Sequence, residues 1–413
     1  MDETEQIAWM ARRLTFGSGL AELPELGAIG RDATLALLLE PEQTPASPWA
    51  GLDVPIDISL DDSIVAINAW LDHLVASPAP LQDWTTWFWH DHFAVSAPQI
   101  RSLAAFTRHI DLLAELGSGG FAELLRAVTI DPAMLIFLDG RRNRVGAVNE
   151  NYGRELLELY ALGVGNYDEA DVRAAAVALT GWTWTEDVDD SRFVARRHDD
   201  TPQTLLGSTV HDLDSVIEVV TNHDACAEHI THHMAEAMLG TALSAADQRV
   251  IADRFRASSL DVGTLRRDLI ELALEGASVP VVLPPLQWFL QTEALTGATL
   301  QPRPRLFALR QMGQVPGVPP NVGGYPDALT WAGPSTTVGR FRAASLLAES
   351  TPDDAPVLDR TRARDWTAVA ELTGRPAGFS AATVRALDDA NTSRRGGREA
   401  LAAVLMTPEL AVA

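Results

Sequence analysis

The chain has 413 residues, 46% hydrophobic and 21% charged, which is the balance of a soluble globular protein with room for a large core. Its formal net charge of −24 argues against nucleic acid and anionic lipid as partners, because phosphate-rich surfaces would repel it. One cysteine, Cys226, excludes an intrachain disulfide and a thiolate zinc site. The opening "MDETEQIAWMARRLTFG" starts acidic and becomes amphipathic, without the basic start and apolar run of a signal peptide. No run of about 18 uninterrupted apolar residues follows, so no membrane span is expected. On this reading the chain is expected to be cytoplasmic.

Proline and glycine first concentrate in "LEPEQTPASPWAGLDVPID", residues 39–57, which reads as a long ordered loop. In "DSIVAINAWLDHLVAS" the apolar residues Ile64, Ile67, Trp70, Leu71 and Leu74 recur at helical spacing. "LQDWTTWFW" also looks helical and runs into "WFWHDHFAVS", Trp87 to Ser96, where histidines and aromatics crowd together. On a helix His90 and His92 point about 200° apart, so they chelate one metal only if the helix ends near His90. "FAVSAP" allows such an end. Otherwise one ring faces a site and the other packs or bonds a backbone carbonyl.

"SGGFAELLRAVTI" is helical, and "RRNR" (Arg141–Arg144) is the densest positive charge, suited to an anionic group or to neutralising nearby acids. "NENYGRELLELYALG", Asn149 to Gly163, follows. As a helix it carries Asn151, Glu155 and Glu158 on one face and Leu156, Leu157, Tyr160 and Ala161 on the other, with Arg154 beside the polar stripe. Paired carboxylates at this spacing bind a divalent metal or act as acid and base; the plain alternative is a solvated acidic face. In "DEADVRAAAVALTGW", Asp168 reads as an N-cap with Asp171 in the first turn. "EDVDD" (Glu186–Asp190) reads as a solvated loop.

"SRFVARR" and "TLLGSTV" together suggest one β-hairpin, Ser191 to Val210. "RRHDD" (Arg196–Asp200) sets His198 beside two carboxylates at its end. In "HITHHMAE", His229, His232, His233 and Glu236 share a metal-capable helical face. Ile230, Met234 and Ala237 form the opposite, apolar face, so the histidines are expected on the outer, solvated side and metal-free. "VGTLRRDLIELALEG" and "REALAAVLMTPEL" complete the helical segments, and glycines 117, 163, 240 and 276 fall where helices should stop. A second proline- and glycine-rich loop spans residues 313–334. No fixed-period repeat, phosphate loop, dinucleotide fingerprint, nucleophile elbow or HExxH motif occurs. The expected fold is mainly α: one helical domain over 1–413, with one hairpin at 191–210 and ordered loops at 39–57 and 313–334.

Several segments together resemble the domain-of-unknown-function 1800 family of bacterial proteins. The resemblance rests on "RRLTFG", "WFWHDHFAVS", "NENYGRELLELYALGVGNYDEADVRAAAVALTGWTW", "RRHDDTPQTLLG" and "PPNVGGYPDALTWAGPSTTVGRF", in the family's order. It implies a largely helical protein, often exported, whose function is not defined. His90, His92, Asn149, Glu150, Asn151, Arg154, Glu155, Glu158, Trp182, His198, Asn321 and Trp331 match the recurring motifs, which implies that these segments converge on one pocket. The chain departs from the pattern with Tyr160, where the family usually has histidine, and Tyr325, where it usually has tryptophan.

The leading expectation is a hydrolase or transferase acting on a polar, carbohydrate-like small molecule in a cleft. Glu155, Glu158 and His198 would be catalytic, and Asn151, Arg154, Trp182, Asn321 and Trp331 would bind substrate. His90 and His92 would ligate a divalent metal. His90 or His92 is then expected within a side-chain contact of the Asn151–Glu155–Glu158 face. The other expectation is a non-catalytic binding or assembly protein whose polar residues form a buried structural network.

Overall fold

The structure, a computed structural model, describes residues 1–43, 45–52, 59–185, 190–326, 328–390 and 397–413. Among these residues it contains 24 α-helices and two small two-stranded antiparallel sheets, a mainly α architecture. The helical periods read from the sequence appear as Leu60–Ala76, Pro80–His92, Phe121–Ile130, Glu169–Ala178, Val262–Leu272 and Arg398–Leu405. Their ends follow local chemistry. The Asp168 carboxylate accepts from the amides of Ala170 and Asp171, and Asp171 returns a 3.0 Å bond to the Asp168 amide, closing a capping box. Gly117 caps Leu103–Leu116, and Gly240 caps Asp224–Leu239.

The single expected hairpin is corrected to two. Gln203–Leu205 and Ser208–Val210 pair with each other, whereas Arg192–Phe193 pairs with Trp182–Thr183. The reason is local: Leu206 and Gly207, at φ 51° and 78°, form a two-residue turn that closes the later hairpin alone. Arg192–Phe193 must then find another partner. The Leu206 amide bonds Asp171 Oδ1 at 2.7 Å, tying this hairpin to the helix Glu169–Ala178. Residues 44 and 53–57 of the first expected loop, 186–189 of the acidic run and 327 of the second loop lie outside the described residues. Within the first loop, Trp49 is buried, meets Trp70 edge-on at 6.0 Å and donates to Asp111 Oδ1 at 3.0 Å.

The first helix, Glu3–Arg13, sits inside the core: Trp9, Met10, Leu14 and Phe16 are all buried. Arg13 donates Nε to the Met238 carbonyl at 2.9 Å and Nη2 to Ala237 at 3.3 Å, satisfying the end of Asp224–Leu239. Gln291 donates to the carbonyls of Arg12 and Thr15 at 2.6 and 3.0 Å, and Gln287 reaches the same carbonyls and that of Arg13. The "RRLTFG" segment is therefore an internal joint.

A second buried joint is ionic. Arg305 binds Glu293 at 2.6 Å with both side chains under a tenth exposed, and reaches the exposed Asp72 at 2.5 Å. Burial pushes the Glu293 carboxyl up, and Arg305 opposes that shift. Removing one partner of such a pair leaves the other charge uncompensated, whereas replacing both by apolar groups need not cost anything. Glu293→Ala is expected to lower unfolding free energy in urea by about 3–5 kcal/mol, and Glu293→Leu with Arg305→Met by clearly less. Equal losses for the single and double variants would contradict this account.

Candidate functional site

The aromatic helix Pro80–His92 delivers its two histidines to different partners. His90 is fully buried among Trp70, Trp87, Phe106 and Tyr325, with ring centroids 5.3, 5.4, 5.9 and 6.1 Å away. Its Nε2 accepts the Gly317 amide at 3.2 Å, which places the ring proton on Nδ1, a nitrogen with no hydrogen-bond partner. Burial, then the nearby His109, hold the His90 pKa down at about 3, so the ring is neutral. Between the histidines, Asp91 accepts the Tyr325 amide at 2.6 Å. Gly324, at φ 86°, lets the chain come this close, since a Cβ there would lie 2.3 Å from Asp91 Oδ1. Tyr325 stacks on Trp87 and donates its hydroxyl to the Val315 carbonyl at 2.6 Å. The second proline- and glycine-rich loop is thus buckled onto the aromatic helix.

His92 faces the helix that carries the glutamates. That helix is α over Asn151–Glu155 and then widens into a π-helix over Leu156–Ala161. Short π segments recur at functional sites, and this one ends with carbonyls in need of donors. His92 Nε2 bonds the Tyr160 carbonyl at 3.0 Å, and His229 Nε2 bonds the Leu159 carbonyl at 2.8 Å. A carbonyl only accepts, so both rings carry the proton on Nε2. Gly163, at φ 79°, leaves space for His229, whose Nδ1 would lie 2.9 Å from a Cβ there. The ring centroids of His92, His229 and His233 stand 6.1, 5.7 and 4.3 Å apart for the pairs 92–229, 92–233 and 229–233. Desolvation, followed by its histidine neighbours, holds His92 well below the usual histidine range. His229 is lowered mainly by burial, and His233, more exposed at the rim, is lowered to about 4 by desolvation and the adjacent histidines.

The solvated reading of "HITHH" fits His232, His233 and Glu236, which lie on the outer side, with His232 and Glu236 3.5 Å apart. It fails at His229, which is half-buried and bonded to the Leu159 carbonyl. Periodicity reports which side of a helix is apolar, and says nothing of a neighbouring helix end that needs an N–H donor. His92 and the glutamate helix do meet, but through the Tyr160 carbonyl rather than the Asn151–Glu155–Glu158 face.

On that polar face, Glu155 is half-buried; burial and then Glu158 raise its carboxyl pKa. Tyr167 donates to Glu158 Oε2 at 2.9 Å. Arg154 turns to Glu169, which it grips through two bonds of 2.8 and 2.7 Å. Asn151 is exposed, and its amide donates to Asn149 Oδ1. Asn149 also donates to the Asp139 carbonyl, while Asn143 accepts the Asn149 amide and donates to the Ala176 carbonyl at 2.8 Å.

The remaining expected residues stand in two other groups. His198 Nδ1 lies 2.9 Å from the Thr180 carbonyl, and its ring packs on Phe193, as does Trp182. There "RRHDD" meets "RRNR": Arg197 donates to the Arg141 carbonyl, and the Val145 amide to the Arg197 carbonyl at 2.7 Å. Asn321 closes a turn by accepting the Gly323 amide at 2.8 Å, and Trp331 is buried in the 3-10 turn Ala328–Ala332. His90 and His92 do not share a ligand position. Among the described residues, no three histidine, cysteine, aspartate or glutamate side chains are placed to hold a metal ion.

A feature that the motifs did not indicate is a groove of about 1030 Å³ between Leu60–Ala76, Pro302–Met312 and Pro334–Ser350. Ile64, Ile67, Phe307, Leu346, Val315 and Val318 line it, with Arg303, Arg310 and Arg342 at its edge. The signal was present in "RPRLFALR": Arg303, Phe307 and Arg310 fall at i, i+4 and i+7, an aromatic within a basic face.

Two outcomes follow from the histidines. His229→Ala is expected to cost about 1–3 kcal/mol, because it strands a packed carbonyl; no loss in urea unfolding would return His229 to the outer face. The second concerns pH. A histidine with a depressed folded pKa stabilises fully above its unfolded value of about 6.5, and that stability drains away as pH falls toward the folded value. His90, His92, His229 and His233 all have this sign, while Glu155 and Glu293, with raised values, oppose it. Stability is therefore expected to fall from about pH 6.5 toward pH 5, and His92→Gln, which keeps a donor but cannot titrate, to flatten the slope by up to about 1.4 kcal/mol per pH unit. Unfolding curves at several pH values with parallel slopes for both proteins would refute the assignment.

Searches of curated proteins and of solved structures returned no match. The family model described as protein of unknown function (DUF1800) matches residues 9–412, nearly the whole chain, and the protein belongs to that family.

Proposed function

We propose that this chain is a binding or assembly protein whose motif residues fasten its helices, in preference to an enzyme that uses those residues as a catalytic set. One observation carries the reading: four motif side chains, three histidines and Asp91, are already engaged with the protein's own backbone. His90 accepts the Gly317 amide, His92 donates to Tyr160, His198 is held at Thr180, and Asp91 holds Tyr325. A buried network of this kind holds its groups by mutual hydrogen bonds and requires no ligand, whereas a catalytic centre keeps an open position.

A second reading rests on Glu155 and Glu158. Solvent reaches Glu155, and burial together with Glu158 raises its pKa, the direction a general acid requires. Tyr167 keeps Glu158 oriented. On this reading the chain is a hydrolase or transferase for a polar, carbohydrate-like substrate, with or without a divalent metal, and Asn151 and Arg154 flank the substrate.

One experiment separates the two. The protein and Glu155→Gln are assayed on nitrophenyl glycosides and esters, with and without added magnesium, manganese or zinc, and both are unfolded in urea. The binding reading expects no turnover and a variant as stable as the parent or slightly more so, since the substitution relieves repulsion from Glu158. Turnover that Glu155→Gln lowers by about 10²-fold or more would replace it with the catalytic reading.

A further inference from the structure

We infer that the groove between Leu60–Ala76, Pro302–Met312 and Pro334–Ser350 docks an acidic amphipathic helix of a partner protein; this rests on the binding reading above. The groove is too large and too apolar to be left to water without consequence. Its roughly 1030 Å³ is lined by Ile64, Ile67, Val315, Val318 and Leu346, and Phe307 stands in it 61% exposed. Beside it on the helix Pro334–Ser350, Val338 and Phe341 are 51% and 60% exposed, so the apolar surface continues past the groove. Contiguous exposed apolar surface of this kind marks an interaction site, and its spread favours a macromolecule over a small ligand.

Charge selects the partner. In a chain of net charge −24, the groove's edge carries three arginines. Arg303 meets Asp61 at 2.6 Å in a fully exposed pair, worth little on its own. Arg342 donates to the neutral Gln311 at 3.0 Å, and Arg310 is exposed beside that glutamine in sequence. Neither Arg310 nor Arg342 has a carboxylate partner among the described residues. Arg303 and Arg310 are seven residues apart on one helix, about 10.5 Å or two turns. The surface thus combines an apolar lining with guanidinium groups, two of them two turns apart on one helix. Its complement is a helix with apolar anchors at i, i+3, i+4 and i+7 and glutamates or aspartates flanking them. The acidity of the rest of the surface would turn such a helix away everywhere else.

The probe is a fluorescein-labelled 16-residue peptide with leucine at i, i+3, i+4 and i+7 and glutamate at the flanking positions, titrated with the full chain by anisotropy. Its counterpart has lysine in place of every glutamate. The acidic peptide is expected to bind, the lysine peptide at least ten-fold more weakly, and added salt to weaken the acidic one. Arg310→Glu with Arg342→Glu, and separately Phe307→Glu, should each weaken binding at least ten-fold; both sites are exposed, and circular dichroism checks that the variants fold. No binding of the acidic peptide, equal binding of the two peptides, or binding indifferent to these variants would overturn the inference. Dodecanoate binding that the same variants abolish, with no peptide binding, would make the occupant an anionic amphiphile. Self-association abolished by Phe307→Glu would make it a second copy of this chain. If any of these occurs with no turnover in the assay above, the docking inference fails while the binding reading stands; turnover lost in Glu155→Gln removes the reading itself.

Discussion

A helix that ends inside a protein leaves up to four carbonyls without partners, and a chain built of many packed helices meets that constraint repeatedly. Here side chains meet it. Arg13 serves the end of Asp224–Leu239, His92 and His229 the end of the π-helix Leu156–Ala161, and Trp89 the carbonyl of Gly117 after Leu103–Leu116, at 2.6 Å. Arg398 does the same for Ala348 and Thr351 at the end of Pro334–Ser350. The sequence is suited to this work in an unusual way: it contains no lysine, and all 32 basic residues are arginine. A guanidinium offers five donors in a planar fork, and its weak hydration lowers the cost of burying it against backbone.

The same constraint accounts for the electrostatics of the histidine region. A ring that donates to a carbonyl needs one N–H and no charge. Burial keeps His92 neutral while its Nε2 proton is spent on Tyr160. His109 differs, with its two nitrogens facing Asp131 and the Phe93 carbonyl, and its proximity helps to keep His90 uncharged. The aromatic wall around His90 therefore serves as an apolar seat for the loop at Gly317.

The sequence made the helices legible because each carries its own evidence: the spacing of Ile64, Ile67, Trp70, Leu71 and Leu74, the Asp168–Asp171 box, and the stops at Gly117 and Gly240. The family resemblance, which the match over residues 9–412 bears out, led to the expectation that the aromatic helix meets the Asn151–Glu155–Glu158 face, whereas His92 reaches the Tyr160 carbonyl. What failed depended on partners that periodicity does not record. Arg192–Phe193 pairs with Trp182–Thr183 only because Leu206 and Gly207 close the other hairpin without it. His229 turns inward only because Leu159 ends a π turn beside it. The groove at Phe307 takes its walls from three helices in separate stretches of the chain, and the spacing of Arg303, Phe307 and Arg310 records only one of them.

The position of the first helix has a consequence for how the chain is made. Arg13 finds its acceptor 225 residues later in the sequence, and Arg12 bonds the Gly374 carbonyl 362 residues later. Val281 and Ala413 exchange backbone bonds at 2.9 Å as well. At translation rates of about 5–20 residues per second, the donors of the first joint wait on the order of 10–45 s for their acceptors. Trp9, Met10 and Phe16 have nearer neighbours, since the first helix packs against Ser18–Ala21, Leu23–Ile29 and Arg31–Leu39 and Phe16 meets Trp87 edge-on at 6.2 Å. High separation between contacting residues slows their pairing, so these joints close only after most of the polypeptide has left the ribosome, while the first helix already has its nearer neighbours.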